Sequence, residues 1–233
     1  MPLFRLTEHI IFPPAHLAEE GLLAVGGDLS AERLLAAYRN GIFPWYNEGD
    51  PILWWSPDPR MLLFPAEIHV SKRLKRTIRQ GKFSVTADQC FGDVIQHCAS
   101  TPRKGQGGTW IVPEMIAAYA RLHALGYAHS IECWQEGRLA GGLYGVSLGT
   151  AFFGESMYSE ESNASKVALT ALARQCERWK FALIDCQMHT PHLARMGAQT
   201  VPRERFLTLA RHAVAHPSRK GMWRLDDDIL ASV

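Results

Sequence analysis

His129-Ser-Ile-Glu-Cys-Trp-Gln135, Arg138-Leu-Ala-Gly-Gly-Leu-Tyr-Gly-Val-Ser147 and Thr150-Ala-Phe-Phe-Gly-Glu-Ser-Met-Tyr158 follow one another in the second half of a 233-residue chain. The first run alternates in polarity. Glu136-Gly137 after it has the composition of a two-residue hairpin turn, and Leu148-Gly149 marks a second turn before the third run. Three antiparallel strands are the reading. A helix is expected over residues 163–180, capped by Ser162 or Asn163, with Ala168, Leu172, Cys176 and Trp179 on one face. The apolar run at 181–188 follows directly as a buried strand. A meander, one crossover helix and a strand able to run parallel to its predecessor make a mixed sheet covered by helices.

That order is also the second half of the acetyltransferase-like fold of the GNAT type, where two parallel strands splay and open a cleft; the likeness is one of topology. The expected architecture is α+β, with a small N-terminal lobe at residues 1–62 and a larger GNAT-like mixed-sheet domain with splayed parallel strands at residues 63–233. The small lobe is rich in Gly, Pro and aromatic residues. Its helix has Asp28 or Ser30 as cap, Glu32 in the first turn, an apolar stripe of Leu34, Leu35 and Tyr38, and Gly41 as terminator. Further on, 83–87 reads as a strand, and 89–100 and 113–125 as helices, the latter ended by Gly126.

Composition is that of an ordinary globular protein, 47% hydrophobic and 21% charged. No segment approaches the roughly 18 apolar residues of a membrane helix, and the N-terminus lacks a signal-peptide core, so a cytoplasmic protein without membrane partner is expected. Cys90, Cys98, Cys133, Cys176 and Cys186 are too widely spaced for a zinc ribbon and odd in number, and read as idle or buried thiols. His212 and His216 share a helix face with no third ligand in view, so no metal is expected. The net charge of +2 conceals a concentration: Lys72, Arg73, Lys75, Arg76, Arg79 and Lys82 lie within twelve residues free of acid, leaving the remainder of the chain four charges negative. Residues 71–80 form an expected helix that packs through Val70, Leu74 and Ile78 and presents its cations on the other side. A solvated surface is the bland reading; the lack of acids points to contact with phosphates.

Three groups of residues could carry chemistry. Glu155 lies in an apolar strand beside Gly154, where a carboxylate is either a reacting group or a loop anchor. Asp185 and Gln187 are two apart on the last strand and share a face; they suit a site or a buried network. Trp45 and Trp110 sit in Gly- and Pro-bounded loops, Phe43-Pro-Trp45 and Gly107-Gly-Thr-Trp110, where indoles can stack on a nucleobase for about 1–3 kcal/mol each. Trp54 and Trp55 fit core filling better. No nucleophile elbow, Walker loop or dinucleotide fingerprint occurs. The residues after Met157, Tyr158-Ser-Glu-Glu-Ser-Asn-Ala164, lack the pyrophosphate loop of coenzyme A acetyltransferases.

Several uncommon strings occur in order: Glu20-Gly-Leu-Leu-Ala-Val-Gly-Gly-Asp-Leu-Ser30, Gly41-Ile-Phe-Pro-Trp45, Asp50-Pro-Ile-Leu-Trp-Trp-Ser-Pro-Asp-Pro-Arg60, Gly108-Thr-Trp110, Gly154-Glu-Ser-Met157, Asn163-Ala-Ser-Lys166 and Leu183-Ile-Asp-Cys-Gln187. Over nearly its whole length the chain thereby resembles the bacterial leucyl/phenylalanyl-tRNA–protein transferases. The resemblance implies transfer of Leu, Phe and, less well, Met from aminoacyl-tRNA to proteins beginning with Arg or Lys, marking them for degradation through the N-end rule, by a monomer that needs no cofactor. It further implies that Trp45 and Trp110 hold the terminal adenosine, that Leu143, Phe152, Met157 and Ile184 line the pocket for the donated side chain, and that Lys72, Arg73, Lys75, Arg76 and Arg79 meet the tRNA body. Glu155, Asp185 and Gln187 would handle the ester and the incoming amine. Leu172 and Cys176 are smaller than the aromatics of relatives, which bears on pocket shape. The rival readings are an acyl-coenzyme A N-acetyltransferase and a non-catalytic tRNA-binding protein.

Overall fold

The computed structural model describes residues 3–101, 110–231 and 233. Gly107 to Thr109, part of the loop assigned to Trp110, lie outside the described residues; Trp110 itself is described. The small lobe holds β1 (Phe4–Leu6), β2 (Leu22–Gly26), α1 (Ala31–Arg39), β3 (Phe43–Pro44) and β4 (Leu53–Trp55). Its strands form a sheet in the order β1-β2-β4-β3, with β1 parallel to β2 and the other pairs antiparallel. Of the two caps expected for α1 it is Ser30 that serves, its Oγ accepting the Arg33 N–H at 3.3 Å. Asp28 acts one step earlier, accepting the Ser30 N–H at 2.8 Å. Gly41 ends the helix at φ +70°, where a Cβ would lie 2.6 Å from Leu207 Cδ2, so both backbone and neighbour require glycine.

The rest comprises β5 (Arg60–Leu63), α2 (Lys72–Arg79), β6 (Ser84–Ala87), α3 (Phe91–Ser100), α4 (Pro113–Ala124), β7 (Ala128–Gln135), β8 (Arg138–Leu148), β9 (Ala151–Ser159), α5 (Ala164–Arg178), β10 (Leu183–Gln187), α6 (Pro191–Arg195), β11 (Gln199–Val201) and α7 (Arg203–Val214). A seven-stranded sheet runs β11-β5-β10-β9-β8-β7-β6. β5, at 60–63, spans the lobe boundary expected at 62/63 and belongs to this sheet. The mixed α+β class holds, and β10 is parallel to β9 while its other neighbour β5 is antiparallel. Glu136 and Gly137 turn β7 into β8 with positive φ at both residues, the hairpin expected. The second turn is shifted by one residue: β8 runs through Leu148, and Gly149 and Thr150 make the corner because Gly149, at φ +56°, lies against the Ala213 carbonyl. The cap of α5 also differs. Asn163 precedes the helix in the left-handed region, φ +76°, and its side chain makes no cap hydrogen bond.

Two apolar cores flank the large sheet. On one side α5 and α2 pack through Leu169, Leu172 and Leu74 with Phe152, Ile184 and Trp223. On the other, Phe153, Tyr144 and Leu183 meet α3, α4 and α7, and the same core continues into the small lobe through Leu34, Tyr38 and Trp54. Cys98, Cys133 and Cys176 are buried, and burial pushes the Cys133 thiol up to about 12. Among the described residues no helix is long and apolar enough to cross a membrane, and no group of three His, Cys, Asp or Glu is arranged to hold a metal.

Candidate active site

β9 and β10 pair through Leu183–Ala151, Ile184–Phe152 and Asp185–Phe153, and the pairing ends there although β9 continues to Ser159. Beyond that point Gly154 and Glu155 on β9 and Cys186 and Gln187 on β10 line a cavity of about 330 Å³, the size of a small-ligand site. The cavity draws its wall from both faces of the sheet. Leu143, Phe152, Met157 and Ile184, with Leu169 and Leu172 of α5, give it an apolar floor. Phe43, Pro44 and Trp45 of the small lobe and Trp110 close the other side. All four residues expected to hold the donated side chain, and both tryptophans, therefore open on one space. Cys176 is fully buried and does not reach it.

The two indoles differ in setting. Trp45 is half-buried, its ring tilted on Trp55 at 5.5 Å, and its carbonyl accepts the Trp55 Nε1–H at 2.7 Å. Trp110 is only 7% exposed, so it lines the cavity as a largely buried side chain and not as an open platform. Trp54 is fully buried, the core role expected of it, whereas Trp55 is half-buried and supports Trp45.

The polar groups form a chain. Gln187 Nε2 donates to Glu155 Oε1 at 2.8 Å. Asp185 accepts the Gln187 backbone N–H at 2.8 Å and is held by Arg60 of β5, with Nε to Oδ1 at 2.9 Å and Nη2 to Oδ2 at 2.7 Å. Asp185 is fully buried and absent from the cavity wall; it stands behind Gln187 and fixes its backbone. The register of β10 shifts between Asp185 and Gln187, and Gln187 takes φ +62°, a strained conformation that this anchor sustains. Glu155 accepts two further bonds, from Tyr38 Oη at 2.8 Å on Oε1 and from Tyr119 Oη at 2.8 Å on Oε2. Burial pushes the Glu155 carboxyl up to about 7, against the pull of the Tyr38, Tyr119 and Gln187 hydrogen bonds. A group poised there exchanges protons near neutrality.

Sequence reasoning named Tyr38 only as part of an apolar stripe and Arg60 only as the end of a matching string, and did not name Tyr119 or His192 at all. His192 lines the cavity with Thr190, and burial lowers its imidazole pKa, assisted by Lys166 and Arg195. None carries a local signature: Arg60 and Asp185 are 125 residues apart, and Tyr38 and Tyr119 are 81 apart. α2 lies outside the cavity. Lys72, Lys75, Arg76 and Arg79 line a hollow of their own, while Arg73 is exposed and not part of it.

The family described as leucyl/phenylalanyl-tRNA protein transferase matches residues 62–211, and its N-terminal domain matches residues 27–58. A leucyl/phenylalanyl-tRNA–protein transferase of Syntrophobacter fumaroxidans is 62% identical over 210 residues, 90% of each chain. Another, from an Anaeromyxobacter species, is 58% identical over 97% of each chain. The structure of L-PGS from Bacillus licheniformis aligns at a TM-score of 0.38 and 11% identity over 74% of this chain and 57% of its own, too distant to bear on the fold. With relatives this similar along almost its entire length, the chain belongs to the leucyl/phenylalanyl-tRNA–protein transferase family of aminoacyltransferases.

Proposed function

We propose that the protein transfers Leu or Phe, and Met less well, from aminoacyl-tRNA to the N-terminal α-amine of proteins beginning with Arg or Lys, marking them for N-end rule degradation in the cytoplasm. The observation that carries this reading is the single cavity shared by Trp45, Trp110, the apolar floor and the Glu155–Gln187 pair. In it the terminal adenosine stacks on Trp45 with Trp110 at its edge, and the donor side chain rests on Leu143, Phe152, Met157 and Ile184. The larger lobe, residues 63–233, is read as GNAT-like, its parting β9 and β10 forming the cleft; residues 1–62 contribute Trp45.

Conversion of an activated ester to an amide runs downhill, so alignment, removal of the amine's proton and stabilisation of the oxyanion are the tasks. The acceptor ammonium gives one proton to Glu155. The free amine, oriented by Gln187, attacks the ester carbonyl; the C–N bond forms, the bond to the ribose oxygen breaks, and that oxygen leaves with the amine's second proton. Asp185 acts through Gln187, whose backbone it holds. An apolar pocket grades its donors, because one methylene separates them by about 1–3 kcal/mol.

The test is single-turnover transfer from radiolabelled Phe-tRNA to an Arg-starting peptide, with acetyl-coenzyme A as competing donor. Label is expected in the peptide from Phe-tRNA, falling at least 100-fold in Gln187→Ala. Undiminished transfer in that variant would remove Gln187 from the mechanism, and acetylation would reverse the choice of donor. The tRNA body is expected on α2. Reversing charge in Arg76→Glu should weaken binding of any tRNA and reduce the slope of log affinity against log salt by about one per lost phosphate contact; an unchanged slope in filter binding would place the tRNA elsewhere.

A further inference from the structure

Two phenols from different lobes close on one carboxylate. Tyr38 lies in the last turn of α1 and Tyr119 on α4, and both are buried, at 1% and 0% exposure. Their hydroxyls take the two oxygens of Glu155 separately and also touch each other. Gln187 Nε2 completes the set on Oε1. Both phenol rings are packed against aromatic neighbours: the Tyr38 ring lies 5.2 Å from Phe153, and the Tyr119 ring stands edge-on to Tyr144 at 5.6 Å. A tie between lobes could be made by any pair of apolar side chains. Buried hydroxyls aimed at both oxygens of a cavity-lining carboxylate do something an apolar tie cannot: they favour its charged form and fix its direction.

The proton count supports more than anchoring. With Glu155 ionised, both phenol protons point at it, and the two phenol oxygens face each other without a proton between them. With Glu155 protonated, the carboxyl can donate to one phenol while the phenols bond to each other, so the same four oxygens accommodate a third proton without moving. Among the described residues no ion pair reaches Glu155. The groups that face it are Tyr38 from α1, Tyr119 from α4, Gln187 and Asp185 from β10, the last neutralised by Arg60 of β5; Tyr144 of β8 stands behind the phenols.

We propose that Tyr38 and Tyr119 are positioning residues for aminoacyl transfer, holding Glu155 charged and aimed beside Gln187 until it takes the proton of the acceptor ammonium. This rests on the transfer reading above. Tyr38→Phe and Tyr119→Phe each delete one hydroxyl and leave the ring. Two measurements on the whole protein test it. The first is the pH dependence of urea unfolding: the step that disappears in Glu155→Gln should move up by about one to two pH units in each phenylalanine variant, because the charged form has lost a donor. The second is the single-turnover rate of Phe transfer against pH at saturating Phe-tRNA. Its acid limb should move up by the same amount, with the KM for Phe-tRNA unchanged and the alkaline plateau within a few-fold of wild type; the acceptor ammonium is common to all and cancels. An unfolding step that stays in place overturns the proposal, as does an acid limb that stays in place while the step moves. A wild type that transfers nothing sinks the transfer reading and this inference with it, whereas wild-type transfer with unmoved limbs sinks this inference alone.

Discussion

Arg60→Met is expected to lower the unfolding free energy by about 3–5 kcal/mol, the cost of stranding one member of a buried ion pair. Arg60 and Asp185 are 1% and 0% exposed, bonded through two parallel N–H to oxygen contacts. The guanidinium also lies over the rings of Phe43 at 4.8 Å and Phe206 at 4.4 Å, so its removal reaches the small lobe and α7 as well. Methionine fills most of the volume but leaves Asp185 with the Gln187 N–H as its remaining partner. Urea denaturation measures the loss. Arg60→Met/Asp185→Leu is expected to recover much of the stability, since apolar pairs replace buried ion pairs at little cost, but not transfer, because Gln187 then loses its anchor. A single variant within about 1 kcal/mol of wild type would mean that the pair is wet in solution.

Glu155→Gln has the second large effect, and it is a function of pH. The Glu155 carboxyl stands at about 7 in the folded protein against a reference of 4.5. The folded state therefore binds this proton more tightly than the unfolded chain does. Its contribution to stability is fully present below about 4.5 and is lost as pH rises through about 7, a span of about 3 kcal/mol at 1.36 kcal/mol per unit. The amide of the variant has no proton to titrate in this range. Relative to Glu155→Gln, wild type should lose about 3 kcal/mol of unfolding free energy between about pH 4.5 and about pH 8.5, measured by urea unfolding at several pH values. A difference that stays constant across that range would show that Glu155 titrates as an ordinary surface carboxylate.

What could be read from the chain was what local chemistry determines. Glu136-Gly137 specified its hairpin because only certain residues tolerate two consecutive positive φ values, and the apolar spacing of Val70, Leu74 and Ile78 specified the buried side of α2. Asp185 and Gln187 were legible as a polar pair on one strand; that Gln187 lines the cavity while Asp185 holds its backbone N–H from behind was not. Asp185 turned out to stand behind the cavity because Arg60 holds it, and nothing near either residue announces the other. The same holds for Tyr38, whose position in an apolar stripe agrees with its burial and whose hydroxyl donates to Glu155, 117 residues away. Trp110 illustrates the opposite limit. Glycines beside an indole suggested an open platform, whereas the surrounding core buries all but 7% of it. Turn chemistry and amphipathic spacing are short-range, and burial is settled by whichever distant segment arrives.

The apolar core that begins at Val94 and Met115 and runs without interruption to Leu34 and Trp54 joins the two sheets into one interior. Neither part can keep that interior dry alone: a break at 62/63 would cut β5 and expose the faces of α1 and α4 that now cover each other. Units that look separable along the chain thus share one apolar interior, and Tyr38 of the small lobe reaches the cavity-lining Glu155 from within it.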